Sequence, residues 1–474
     1  MTIPDRQRWL TLYILCIGVL MIVLDTTIVT VALPSIKTAL GFSETNLVWV
    51  VNAYMLTFGG FLLLGGRLGD LYGQRKLFLM GLTLFTVASL VCGIAGTQTV
   101  LIAARAVQGI GGAVLTAVAL ALITGLFPQP DERAKAMGIY SFVCAAGGSL
   151  GALLGGVLTE LLNWRWIFLV NLPIGIVVFV WCGRLLPAAH TRPVGMRLDL
   201  AGAATVTLSL MLAVYAVVNG NQWGWLSPRT LTMLGVAGAL LAAFLVIESR
   251  VRDPMMPLAM FCHRNLSVAN VIGMLWAAGM FAWFFLAALY LQLVLGYGPM
   301  AVGLAFVPAD LIMAIFSLGL SAWVVVRYGQ RVPVSAGLAL ATLGLLLFAR
   351  APLVGNFWID VLPGMSLLGL GAGLAFNPLL LAAMGDVEEK DAGLASGIVN
   401  TSFMMGGALG LAVLASLADA RTASLRAAGT EAVVALNGGY QLAFIVGAVF
   451  TTAAALLGLL LHNAKSPVAT TPAH

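Results

Sequence analysis

Gly66-Arg67-Leu68-Gly69-Asp70-Leu71-Tyr72-Gly73-Gln74-Arg75-Lys76 is a polar, glycine-rich joint between two apolar runs, near 46–66 and 77–97. About 20 apolar residues take a helix across a ~30 Å hydrocarbon core, so each run is long enough to span a membrane. The glycines permit a tight turn, and Asp70 can pair with nearby guanidinium groups or cap a helix end. A positively charged loop kept on the cytoplasmic side would account for Arg75 and Lys76. It would not account for the aspartate or for the glycine spacing.

Outward from this joint the chain keeps the same character. Its 474 residues are 61% hydrophobic and 9% charged, where a soluble domain carries about 25% charged residues. The length rule places fourteen spans, near 10–33, 46–66, 77–97, 100–124, 135–160, 165–187, 198–219, 230–248, 266–294, 299–326, 331–349, 358–382, 391–416 and 439–461. With the N-terminus inside, seventeen Lys and Arg fall in cytoplasmic segments and six in outer ones. Both termini are therefore expected in the cytoplasm. The first apolar run lacks a small-residue cleavage site before Asp25 and reads as an uncleaved span.

The joint has an echo. Leu71-Tyr-Gly-Gln-Arg75 resembles Arg327-Tyr-Gly-Gln-Arg331 at an offset of 256 residues, and both follow the second span of their half. The simplest parse is an all-α integral membrane protein of two six-helix bundles, 1–187 and 259–474, around a two-helix insert at 188–258. Two similar bundles rocking about a midplane cavity is the logic of secondary transporters. Val326 stands where the first copy has Asp70, so a latch at this loop should be one-sided.

Enzyme chemistry has little to stand on. No HExxH, GxSxG, Walker or CxxC pattern occurs, and the four histidines are scattered. No cofactor or metal is expected. The net charge of +6 is not clustered as nucleic acid would require. Cys16, Cys92, Cys144, Cys182 and Cys262 show neither disulfide nor metal spacing and read as small apolar packers.

What remains is a short set of embedded charges. Asp25 lies within the first apolar run, in Leu24-Asp-Thr-Thr-Ile-Val-Thr-Val-Ala-Leu-Pro34. A charge there costs roughly 2.5–3.5 kcal/mol on insertion scales, so it is expected to have a role. Arg105 must face protein or water, unless it snorkels to the outer interface, and Gln108 lies one turn further along the same face. Asp310 is the second embedded acid, opposite Tyr54 at the 256 offset. It could bind a cation, couple a proton, or satisfy backbone freed by Pro308. Asp360 and Glu248 sit near span ends and read as interfacial. Gly147, Gly151 and Gly155 recur every fourth residue and make a flat face, for packing, for gating or for both. Asn52, Tyr54, Gln108, Trp276, Trp283, Asn377, Asn400 and Phe403 lie on candidate cavity helices. Aromatic faces beside a carboxylate suit a lipophilic cation, although aromatics that merely pack or face lipid would look the same in sequence.

The joint at Gly66–Lys76 resembles the signature loop of the major facilitator superfamily, with Gly66, Asp70, Gly73, Arg75 and Lys76 in its pattern. Four further stretches resemble the fourteen-helix drug:proton antiporter branch. They are Leu24–Pro34, Arg105-Ala-Val-Gln-Gly-Ile-Gly-Gly112, Trp164-Arg-Trp-Ile-Phe-Leu-Val-Asn-Leu-Pro-Ile-Gly175, and Gly147–Gly156, where Ala152 replaces the usual proline. The resemblance implies the major facilitator fold and proton-driven export of lipophilic, cationic drugs or biocides across the cytoplasmic membrane. On that reading Asp25, Arg105 and Asp310 couple protons, and Asp25 and Asp310 also contact substrate. Partners would be small molecules, protons and lipid, with no nucleic acid, and the protein a monomer. Export of neutral or anionic metabolites or antibiotics on the same scaffold is the alternative. A non-transporting membrane sensor or scaffold would need an appended domain or long tail.

Overall fold

The computed structural model describes residues 5–127, 129–186, 199–252, 254, 256–317, 321–385, 387 and 392–462. The first half comprises α1 (Asp5–Leu40), α2 (Glu44–Tyr72), α3 (Gln74–Ile94), α4 (Gln98–Leu126), α5 (Pro130–Leu161), the short α6 (Trp166–Leu169) and α7 (Asn171–Leu185). Then come α8 (Leu200–Trp223) and α9 (Pro228–Arg250). The second half holds α10 (Arg264–Leu289), α11 (Pro299–Ile315), α12 (Ser321–Tyr328), α13 (Arg331–Phe348), α14 (Leu362–Met384), α15 (Ala392–Ala427) and α16 (Ala432–Gly458). A π-helical turn, Tyr290–Val294, extends α10, and another, Phe357–Val361, precedes α14.

Among the described residues, 12 helices are long and apolar enough to cross a membrane. The apolar helices Leu150–Leu161 and Pro299–Ile315 stand where the fifth and tenth spans are expected. The helices overrun the apolar runs because polar residues beyond them cap the free N–H groups of the first turn. Ser43 accepts from Asn46 N at 3.1 Å to start α2, and Thr97 from Val100 N at 3.3 Å to start α4. Asp199 accepts from Gly202 N at 2.7 Å to start α8. Gly73, with φ at +93°, ends α2 and opens α3 in a backbone conformation that disfavours a side chain.

Small residues set the packing. Cβ atoms added at Gly147, Gly151 and Gly155 would stand 2.8 Å from Val23 Cγ1, 2.9 Å from the Leu24 carbonyl and 2.6 Å from the Ile28 carbonyl. That face of α5 is pressed onto the stretch of α1 that carries Asp25. The opposite side of α5 meets α11 in the second half, and α2 meets α15. Asn52 donates to the Ala408 carbonyl at 2.9 Å across the α2–α15 seam. Gln292 donates to the Val31 carbonyl at 2.9 Å near the end of α1.

α8 packs on α9 and lies over both α2 and α15. A Cβ on Gly60 would be 3.0 Å from Thr207 Cβ, so α2 touches α8 closely. On the other side Asn221 donates to the Ser416 carbonyl at 2.7 Å, and Ser416 returns a bond to the Val217 carbonyl at 3.0 Å. Glu248, expected at an interface, is buried near the end of α9 and accepts from Met256 N at 3.1 Å. The chain folds back over the end of α9 there, which removes the carboxylate from water. Cys16, Cys92 and Cys182 are buried as expected, whereas Cys262 is exposed because it falls at the joint before α10.

Candidate functional site

Asp25, on α1, is fully buried and spends both carboxylate oxygens within the first half. Oδ2 pairs with Arg105 Nη1 of α4 at 2.5 Å. Oδ1 accepts from Gln108 Nε2 at 2.8 Å and from Asn171 Nδ2, at the start of α7, at 3.0 Å. Ser89 of α3 accepts from the same Gln108 nitrogen at 2.6 Å and from Asn171 at 3.2 Å. Five polar residues on four helices thus close one network. Each of the five is at most 1% exposed.

Arg105 does not snorkel. Besides Asp25, its Nη1 donates to Gln108 Oε1 at 2.7 Å and its Nε to the Val50 carbonyl at 2.9 Å. Its guanidinium carbon lies 4.4 Å from the centre of the Tyr54 ring and 5.7 Å from that of Phe168. A desolvated cation over an aromatic face gains up to about 2 kcal/mol. The guanidinium therefore has partners that would remain if the carboxylate were neutralised. This matters because leaving one member of a buried ion pair alone costs about 3–5 kcal/mol.

The glycines of the Arg105–Gly112 stretch bring these groups within reach. A Cβ on Gly109 would stand 2.4 Å from the Tyr54 carbonyl oxygen, and one on Gly111 2.6 Å from Phe85 N. A Cβ on Gly112 would stand 2.9 Å from the Tyr54 hydroxyl. α4 can approach both α2 and α3 only where these side chains are missing.

Asp310 belongs to a separate place in the second half. It is buried on α11, and its Oδ2 has no hydrogen-bond partner among the described residues. It borders a cavity of about 20 Å³ with Trp276, Trp283, Phe284, Met280 and Met313, room for roughly one water. Gly369 of α14 is pressed against the Ala309 backbone beside it. The two acids are therefore not brought together.

The remaining expected residues scatter by role. Tyr54 joins the Arg105 group, and Asn52 fastens the α2–α15 seam. Trp276 and Phe403 meet edge-to-face at 5.5 Å within an aromatic cluster completed by Phe281 and Phe376. Trp283 packs against Phe284, Phe306 and Phe348. Asn377 donates to the Ser317 carbonyl at 2.9 Å, and Asn400 to the Ser396 carbonyl of its own helix at 2.9 Å. At the signature loop, Arg75 donates to the Gly183 carbonyl at the end of α7, Lys76 is exposed, and a Cβ on Gly66 would reach Ala117 at 3.9 Å. The Asp70 side chain lies outside the described residues. Ser89 and Asn171 were missed in sequence. Asn171 lies inside the quoted Trp164–Gly175 stretch, which was its only signal.

Asp25 thus sits in a network on α1, α3, α4 and α7, Asp310 lies apart on α11, and glycines let α5 and α11 approach between them. The sequence profile of the Major Facilitator Superfamily matches residues 15–411. The chain belongs to the Major Facilitator Superfamily. It is a multi-pass membrane transporter, not an enzyme. This superfamily member is 38% identical over 476 residues to the puromycin resistance protein pur8 of Streptomyces alboniger, covering 98% of this chain and 93% of that one. It is 40% identical over 455 residues to the cephamycin export protein CmcT of Amycolatopsis lactamdurans, covering 94% and 91%. The multidrug resistance protein Stp of Mycobacterium tuberculosis is 37% identical over 416 residues, covering 87% and 76%. Among solved structures, an auto-inhibited peptide transporter of the POT family superposes with a TM-score of 0.68 at 13% identity, covering 96% of each chain, a likeness of fold alone.

Proposed function

We propose that this transporter is a proton-coupled antiporter that exports lipophilic antibiotics or drugs, cations among them, across the cytoplasmic membrane by alternating access. Residues 1–187 and 259–474 act as the two moving bundles, 188–258 as the insert, and both termini face the cytoplasm. The observation that carries the reading is the closed Asp25–Arg105–Gln108–Asn171–Ser89 network. A carboxylate kept at membrane depth can trade its pairing for a proton, and Arg105 has other partners to fall back on. Protonating Asp25 releases the tie between α1 and α4. Entry of one proton charge supplies about 2.3 kcal/mol per 100 mV to drive a substrate the other way. Asp310, with its unpartnered oxygen among aromatic rings, is the group that would meet the positive charge of a substrate or a second proton.

Relatives named for resistance to puromycin, for cephamycin export and for multidrug resistance support export as the direction. The relative named for cephamycin export leads to a second reading, export of neutral or anionic metabolites or antibiotics on the same scaffold. A panel of charged and uncharged compounds separates the two. Proton coupling is tested by following a dye cation in inverted vesicles. Transport is expected to stop when the pH gradient is collapsed, and Asp25→Asn to abolish coupled transport. Wild-type transport indifferent to the gradient would sink antiport, and full activity in Asp25→Asn would sink the role of that residue.

A further inference from the structure

α11 starts without a cap of its own. Its N-cap residue is Gly298, which has no side chain to accept from the free N–H groups of the first turn, and Pro299 follows. The Met300 N–H is instead bonded at 2.8 Å by Oε2 of Glu160, close to the end of α5. A serine or aspartate at the N-cap normally performs this within its own helix. Here the acceptor comes from the other half of the molecule, and its negative charge complements the positive end of the helix dipole.

The surroundings are shaped for the visiting side chain. A Cβ on Gly298 would stand 3.1 Å from Glu160 Oε2, so the missing side chain leaves the room the carboxylate occupies. One turn back, a Cβ on Gly156 would lie 2.6 Å from the Pro299 carbonyl oxygen, and one on Gly303 2.5 Å from the Ala152 carbonyl oxygen. These glycines let the two backbones come close enough for Glu160 to reach across.

We propose that Glu160 is an inter-half latch, capping α11 only while the two halves are closed at this end. Closing this end and completing the first turn of α11 are then a single event. α11 also carries Asp310, so the latch ties the state of this end to the helix that holds this buried acid. The consequence for transport rests on the alternating-access reading above. The contact itself is a feature of the α5–α11 seam and does not rest on that reading.

The test is an inter-half distance measured by pulsed electron paramagnetic resonance. Spin labels go on Leu162→Cys and Val354→Cys, which are 54% and 94% exposed, in a chain whose native cysteines are replaced. Both sites lie at this end, since the loop before α14 packs against the end of α10. In bilayer nanodiscs Glu160→Ala is expected to raise the ratio of long to short distances about two- to fivefold, the scale of a charge at an exposed helix terminus. Glu160→Gln keeps an acceptor oxygen and should fall between. Glu160→Ala with Gly298→Ser separates latching from folding. The serine restores a cap within α11 and recovers any loss of Tm, while the distances stay long. An unchanged distance distribution in Glu160→Ala would overturn the latch. So would a return to short distances when Gly298→Ser is added, since the effect would then be helix stability alone.

Discussion

Asp25 and Asp310 are the same kind of residue in opposite circumstances. The first has both oxygens answered by donors from α4 and α7, and the second has an oxygen answered by nothing among the described residues. A carboxylate with both oxygens paired gives up its partners on protonation, whereas an oxygen without a partner is open to a new one. Asp310→Asn is therefore expected to raise KM for cationic substrates roughly tenfold, the scale of one charge-assisted contact of ~1.5 kcal/mol. Uncharged substrates should keep their KM, and a transport assay on paired compounds checks this. The charged members of the network were legible in the sequence because a charge inside an apolar run is costly enough to stand out. Ser89 and Asn171 were not, because a neutral polar side chain in a span is common and only the tertiary fold gives it an acceptor. That Asp25 and Asp310 fall in different halves followed from the sequence parse, but that they belong to separate sites did not, since hydropathy says nothing of which faces meet.

The helices themselves were the most readable feature, since membrane crossing demands long apolar runs and permits few alternatives. Their ends were less so. α1 continues past Pro34 to Leu40, and α15 runs to Ala427, because polar residues beyond the hydrocarbon keep forming helix without any change in hydropathy. The fourth-residue glycine spacing on α5 gave the flat face but not its partner, which is the segment of α1 around Asp25. Gly151→Ala would place a methyl group 2.9 Å from the Leu24 carbonyl and closer still to the Thr27 hydroxyl. It is expected to cost about 1–3 kcal/mol through overpacking, seen as lower Tm and reduced transport at normal expression. Gly148→Ala, three residues earlier on the same helix, has nothing within 4 Å and should match wild type in both measurements.

At the scale of the whole molecule, α8 is fastened unequally. Its contact with α15 is a reciprocal pair of hydrogen bonds, and its contact with α2 is close packing at Gly60. Asn221→Ala should lower stability by about 0.6–1.7 kcal/mol, the range for a hydrogen bond between membrane helices. It should also let a bilayer-dissolved photoreactive probe reach Met405, which now packs with Val206 and Phe244 beneath α8. The same probe in wild type is expected to label Leu304, Leu311 and Ile315, which α11 turns outward, and to spare Met405. The position of α8 then bears on how an oily compound would come aboard. Among the described residues α8 covers the seam of α2 and α15 and not that of α5 and α11, so a molecule already partitioned into the leaflet would meet a shuttered seam on one flank.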